Sequence, residues 1–535
     1  MCIAVPKTPA VALNRVQSNG VYLAQAATTY LGRPVSPGRL RVRRAALPEP
    51  CGSAPSMETR QSWNNGMQEL PQWMFDVYAL ALPRGHGFGD RPPTGAWGTA
   101  DGLACGTVTQ DVNDGSFGIL VMRRRVDHAW TVTAQDHGFA SKAEALARME
   151  LHLREGEPTE PIPPAIARRP ALYDLRGRMA SDIFKSLATP SRYPAAWMLN
   201  QLYLALPKPD RNWAGDCQTV NFHTRLWEAQ LLASFREQGL LVTQPYEAPD
   251  FRIQNRFGGE AWVEAVTANP TIPYNHAYTR PTGPPQIPED LFFGPTALRF
   301  ARTLGNKIGR CYDRLPHVVG KPFMIAIADF QAPASMIWSR EGLIGYLYGV
   351  GAKVVEVDGR RRAVRVPAPH RLSASALRPG LFANEQHAEL SAVIFSNACS
   401  IAKLYRVAVS GGGAPKGFRY MRIGTFSYSG AFGGVSFCLD VTSAEYRRLW
   451  PQRYEPWSAE LEVFHNPYAR HPAPFELVPE ATHWFRQSGE VTCSAFYERS
   501  IWWSLTRILK DSDPIPQVEG GGFAATEDMT HDRRN

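Results

Sequence analysis

Between Pro249 and Val266 the chain runs Pro-Asp-Phe-Arg-Ile, a Gly258-Gly259 turn, and then the apolar stretch Ala-Trp-Val-Glu-Ala-Val. That order predicts a β-hairpin. A connection over 255–259 pairs position 254 with 260, and so sets Asp250 directly opposite Glu264. Facing side chains on such a hairpin lie about 5 Å apart at Cβ. Two carboxylates held that close repel each other unless a cation lies between them. Oxygen donors with open positions suit Mg²⁺ or Mn²⁺, ions that activate a water and brace a phosphoryl oxygen. A structural salt bridge is the alternative for Glu264, because an unpaired carboxylate in a central strand is costly. Asp250, following a proline, can also be a simple turn residue.

The flanking segments carry a third acid and a candidate base. Asn221 is placed to cap a helix containing Phe222, Leu226, Trp227, Leu231, Leu232 and Phe235, with Gly239 as its C′ residue. Glu228 lies within this hydrophobic helix; it either faces the hairpin acids or pairs with Arg225 or Arg236. Farther on, Ala297, Ala301, Leu304, Ile308, Cys311 and Leu315 fall at 3,4 spacing and predict a helix over 297–315. Lys307 flanks that stripe, as a snorkelling surface lysine or as a cation directed at Glu264. Buried strands are expected over Lys321–Phe330 and Leu390–Ser396, with a helix starting near Asn397.

A helix glutamate (Glu228), then Pro249-Asp250, then Glu264-Ala-Val266 resembles the pattern of the PD-(D/E)XK nuclease superfamily, the restriction-endonuclease-like fold. The resemblance implies that Asp250 and Glu264 hold the metal, while Glu228 completes the acidic shell or orients the water. It departs at Val266, where the family carries a lysine that positions the nucleophile and stabilises charge on the phosphate. Some relatives recruit that lysine from a neighbouring helix, which makes Lys307 the candidate here. The implied fold is α/β, a restriction-endonuclease-like mixed sheet flanked by helices, preceded by a small N-terminal β-rich (α+β) domain. The implied function is Mg²⁺- or Mn²⁺-dependent hydrolysis of phosphodiester bonds in nucleic acid, with DNA the expected partner. If Val266 marks lost catalysis, the alternative is an inactive nucleic-acid-binding or assembly protein on the same scaffold.

The rest of the 535 residues frames this core. Residues 1–60 hold eight basic and two acidic side chains, so most of the net charge of +9 sits in one arm, expected to be disordered. Residues 61–155 predict a small domain: strand-like runs at Gly106–Thr109, Gly118–Arg123 and Ala129–Thr133 form a meander. Ser141 and Glu144 then make a capping box for a helix through Leu153. Residues 156–170 are a proline-rich linker, 171–510 the main domain, and 511–535 an acidic tail expected to be disordered. No apolar run reaches the roughly 18 residues of a membrane span. The eight cysteines lie far apart without a CxxC, arguing for reduced thiols in a cytoplasmic protein rather than zinc or disulfides.

Weaker signals are Gly411–Gly417, expected as a hairpin loop with Lys416, Arg419 and Arg422 as possible phosphate contacts, and His465 with His471, poorly spaced for a metal. Ala328-Asp-Phe, Ser391–Asn397 and Phe464–Pro467 also resemble uncharacterised bacterial proteins, some labelled automatically as a glycosaminoglycan attachment site. That label reflects a Ser-Gly pattern such as Ser410-Gly411 and has little chemical weight.

Overall fold

The structure, a computed structural model, describes residues 67–154, 169–271, 274, 281–357, 360–373, 375–428 and 434–515. The N-terminal arm and nearly all of the predicted linker and acidic tail lie outside the described residues. The described chain is mixed α/β, and none of its helices is long and apolar enough to cross a membrane.

The first part is a five-stranded antiparallel sheet: β1 (Met67–Leu70), β2 (Pro93–Thr99), β3 (Ala104–Gln110), β4 (Phe117–Arg124) and β5 (Trp130–Phe139), in sequence order. A helix, α1 (Gln72–Ala79), follows β1, and α2 (Lys142–Arg154) closes the unit. The predicted meander and helix are present, and Ser141 Oγ accepts the Glu144 N–H at 3.2 Å. The Pro/Gly-rich stretch before Gly98 is partly strand. Its prolines and glycines sit in the loop before β2 and at an irregular pairing between Pro93 and Gly95.

The sheet's α1 shares its core with the rest of the molecule. Trp73, Met74, Val77 and Leu80 belong to the same apolar cluster as Leu202, Leu231 and Val407. Asp76 is buried and accepts a hydrogen bond from the Tyr454 hydroxyl.

Beyond it come α3 (Asp182–Ser186), α4 (Tyr193–Ala205), α5 (Trp213–Gln218) and α6 (Phe222–Glu237). Asn221 stands at the N-terminus of α6 as expected, but its side chain caps nothing. Gly239 (φ +77°) ends the helix in the left-handed conformation that favours glycine. Three strands follow, β6 (Leu241–Thr243), β7 (Phe251–Gln254) and β8 (Glu260–Ala268), then α7 (Pro288–Phe293), α8 (Pro295–Ile308) and β9 (Phe323–Asp329). Helix α8 is shorter than its apolar stripe predicts. Gly309 is a poor helix residue and Cys311 turns left-handed at φ +53°, so Cys311 and Leu315 leave the helix.

The remaining elements are α9 (Arg340–Tyr348), a hairpin of β10 (Gly351–Val357) and β11 (Arg360–Val366), β12 (Ala392–Ser396), α10 (Ile401–Gly411), β13 (Phe418–Tyr428), β14 (Gly434–Asp440), α11 (Ala444–Arg447), β15 (Leu461–His465), β16 (Thr482–Gln487), β17 (Glu490–Ala495) and β18 (Arg499–Lys510). Gly411–Gly417 does not form the expected hairpin loop. Gly411 ends α10, and the following residues lead into β13, which pairs with β18 and β14. Residues 511–515, assigned to the tail, are described: the carbonyls of Asp511 and Asp513 accept from Arg419.

The central sheet, eight strands among the described residues, runs β17-β16-β15-β12-β9-β8-β7-β6. Strands β8, β9 and β12 are mutually parallel, whereas β6, β7 and β8 form an antiparallel meander. Alternation along the strands divides the core. Ala261, Val263, Met324 and Ala326 face the layer of α4, α6 and α10; Trp262, Phe323, Ile325 and Ile327 face α7, α8 and α9. Both faces are covered, which explains why β9 and β12 read as unbroken apolar runs.

Candidate functional site

The hairpin forms in the predicted register. Gln254 pairs with Glu260 and Phe251 with Val263, which places Asp250, one residue before β7, opposite Glu264. The two acids are tied through the backbone, because the Ala265 N–H donates to Asp250 Oδ2 at 2.7 Å. Glu264 shares with Trp262 the sheet face covered by α8, since residues two apart on a strand point the same way.

From α8, Lys307 Nζ donates to Glu264 Oε1 at 2.5 Å, with 18% of the lysine side chain exposed. Lys307 therefore reaches the strand and is not a snorkelling lysine. The Tyr312 hydroxyl donates to the same oxygen at 2.9 Å. Its position follows from the early end of α8, which folds the 3-10 turn Tyr312–Arg314 back over the strand. Arg310 Nη1 in turn donates to the Tyr312 hydroxyl at 3.2 Å.

Val266, where the resembled nuclease pattern has a lysine, is partly buried against the α8-side core. A side chain reaching Glu264 from that direction would compete with this packing; the cation instead arrives from the helix above.

Glu228 comes from the opposite layer. Its Oε2 accepts from Trp213 Nε1 at 2.9 Å and from Arg225 at 3.0 Å, and its Oε1 accepts from Gln244 at 3.3 Å. Both oxygens are thus engaged, and the pairing with Arg225 is one of the two its sequence neighbours allowed. The other candidate, Arg236, is spent on the carbonyls of Leu80, Ala205 and Val242. Burial raises the Glu228 pKa, opposed by Arg225, Trp213 and Gln244.

Asp250 shows the electrostatic character of the site most clearly. Burial, then the charges of Glu264 and Glu228, push its pKa up to about 8, against the relief given by the Ala265 N–H and Lys307. A carboxylate raised by burial and by two like charges is one that a cation would draw back into ionised form. Among the described residues, neither Asp250 Oδ1 nor Glu264 Oε2 accepts a hydrogen bond from the protein. No described group of three or more His, Cys, Asp or Glu is arranged to hold a metal. Two carboxylate oxygens fit Mg²⁺, which commonly takes one or two carboxylates and completes its shell with water and substrate phosphate. They would not fit an ion that requires an all-protein cage.

The remaining candidates fall outside this site. Arg422 is not available to phosphate: it is fully buried and paired with Glu460. Arg419 is committed to the carbonyls of Asp511 and Asp513, while Lys416 stays exposed. Ser410 is wholly buried, its hydroxyl donating to the Val407 carbonyl, so it offers no surface for attachment. His465 pairs with His483 rather than His471, their ring nitrogens 2.8 Å apart.

Sequence reasoning missed Tyr312, Trp213 and Gln244. Tyr312 becomes visible once Gly309 is taken as the helix end; nothing in the local pattern marks the other two. No protein-family model, curated protein or solved structure matches the chain.

Proposed function

We propose that this protein is a divalent-metal-dependent phosphodiesterase acting on nucleic acid, with a restriction-endonuclease-like core formed by α6, β6, β7, β8, α8 and β9. The observation that carries the proposal is the convergence of Asp250, Glu264 and Lys307 on one sheet face, on elements in the order helix, three antiparallel strands, two helices, parallel strand. Asp250 Oδ1 and Glu264 Oε2 are the oxygens that would hold the ion. When bound, such an ion supplies an activated water and draws charge from a phosphoryl oxygen. Lys307 orients Glu264 and brings the positive charge that Val266 cannot. Tyr312 fixes the same carboxylate oxygen and leaves its partner oxygen, Oε2, without a protein donor among the described residues. Glu228 contributes its negative charge to Asp250 and, through Gln244, steadies the loop that leads to it.

The test is cleavage of end-labelled DNA and RNA in Mg²⁺ or Mn²⁺ by the parent, Asp250→Ala and Glu264→Ala proteins, with folding checked by circular dichroism. The proposal expects both substitutions to abolish cleavage in folded protein; equal cleavage by all three removes it.

One observation favours a second reading, the inactive binding scaffold: Glu264 Oε1 already carries both Lys307 and Tyr312, as a structural salt bridge would. Titration calorimetry with Mg²⁺ decides between them. Absence of metal binding, together with salt-sensitive retention of DNA, supports the scaffold.

A further inference from the structure

Tyr246 stands four residues before Asp250, with 52% of its surface exposed. Its ring is not loose. It lies face-on over the His317 imidazole, centroids 3.9 Å apart and planes within 14°. His317 rests in turn on Trp262 (4.7 Å), which is 1% exposed and sits two residues before Glu264 on the same strand face. His317 Nε2 donates to the Ala248 carbonyl at 3.0 Å, and Gln244 holds Glu228. The loop bearing Tyr246 is therefore braced on both sides of the tyrosine, and the stack is tied to the strand that carries the proposed chemistry.

Tyr246 also meets Trp262 directly, ring centroids 5.9 Å apart, so it helps cover that ring while half of its own surface stays open. Beyond that, Tyr246 presents an aromatic surface open to solvent, four residues before Asp250 and stacked through His317 onto the strand that carries Glu264. The segment that delivers His317 also carries exposed Arg310 and Arg314 against one acid, Asp313, while Lys321 at its end is paired with Glu260. Aromatic faces beside cations that can follow a phosphate backbone are the recurring means of holding single-stranded nucleic acid.

We propose that Tyr246 is a stacking platform for an unpaired base, so that the molecule takes single-stranded polynucleotide, or the frayed end of a duplex, with its backbone directed toward Asp250 and Glu264. This rests on the nucleic-acid reading of the site and adds to it the form of substrate.

The experiment is fluorescence anisotropy with the full-length chain in EDTA, so that binding is read without metal or cleavage. The probes are labelled single strands of about 15 nucleotides, DNA in one arm and RNA in the other, and a blunt DNA duplex. Tyr246→Ala is expected to weaken single-strand binding roughly 5- to 100-fold while leaving duplex binding unchanged. Tyr246→Phe, which keeps the ring, should bind as the parent does. Equal weakening by Phe and Ala, or no weakening by Ala, overturns the platform while leaving the nuclease reading intact. A parent that binds neither strand nor duplex overturns both. Single-strand binding that depends on Tyr246, in a protein that never cleaves, upholds the platform and removes the hydrolase alone.

Discussion

Lys307 and Glu264 lie 43 residues apart and meet at 2.5 Å across the boundary between a helix and a central strand. The ammonium offsets a carboxylate that is 4% exposed and stands beside Asp250. Replacing Lys307 with Met leaves a buried and a half-buried acid facing each other. Fully buried pairs lose about 3–5 kcal/mol on such a change; with the lysine partly exposed, about 1–3 kcal/mol is expected by urea denaturation. Metal-dependent cleavage should fall by about 100-fold or more, since a fixed charge at the reacting centre is lost. Wild-type cleavage by a folded Lys307→Met protein would show that the lysine is structural only.

Tyr312→Phe removes one donor from Glu264 and keeps the ring. A loss of about 1 kcal/mol in stability is expected. Cleavage should decline less than in the Lys307 variant, because Lys307 still holds the same oxygen. A larger loss than that of Lys307→Met would assign the tyrosine a role of its own.

The raised Asp250 pKa gives a pH dependence of definite sign. The folded state holds this proton more tightly than the unfolded chain, so the stabilisation is full below the unfolded value near 4 and is lost as pH climbs through about 8. Stability of the metal-free protein should therefore fall between those limits. Asp250→Asn, neutral throughout, should flatten the slope in thermal melts collected across that range. Added Mg²⁺ should bind more tightly as pH rises and release a proton on binding, which calorimetry in buffers of different ionisation enthalpy detects.

The histidine pair behaves in the opposite sense. His483 Nε2 donates to the Val478 carbonyl, leaving its Nδ1 to accept from His465. Burial, and for His465 also the neighbouring His483, depresses the two pKa values to about 3 and about 4 for His465 and His483. The unfolded chain takes up these protons first, so stability should be present above pH ~6.5 and be lost as pH falls toward 4. His483→Gln should soften that acid limb; an unchanged limb would place the acid sensitivity elsewhere.

The hairpin, its register and the acids on it were legible in the sequence because turn residues and alternation fix which side chains face each other. The arrival of Lys307 was legible only as an option, because helix periodicity says which face is buried but not what the polar rim touches. The length of α8 was misjudged: Cys311 and Leu315 continue the apolar spacing, yet Gly309 and the left-handed turn at Cys311 end the helix. For Glu228 the pairing with Arg225 was legible as one option, but its other partners Trp213 and Gln244 come from other segments and were not.

Arg422 shows the same limit. The sequence offered it as a possible phosphate contact, but it joins Lys403, Arg406, Glu455 and Glu460 in a fully buried ionic group. Lys403 contacts both glutamates, at 2.9 and 2.7 Å. Arg422→Met should cost about 3–5 kcal/mol by leaving carboxylate charge buried without its partner. Nucleic-acid affinity per folded molecule should not change; a selective loss of binding in fully folded protein would reinstate Arg422 as a phosphate contact.

The placement of α1 limits how the gene can be cut. Trp73, Met74, Val77 and Leu80 fill a hollow in the larger body, and Asp76 reaches Tyr454 nearly four hundred positions away. Expressing residues 169–515 alone would strip a plug from that hollow and leave a greasy scar ready to bind chaperones or self-associate. The front piece, conversely, would carry its own exposed tryptophan into solution. Biochemists hoping to trim this polypeptide to its chemistry should expect both halves to be needed for either to behave.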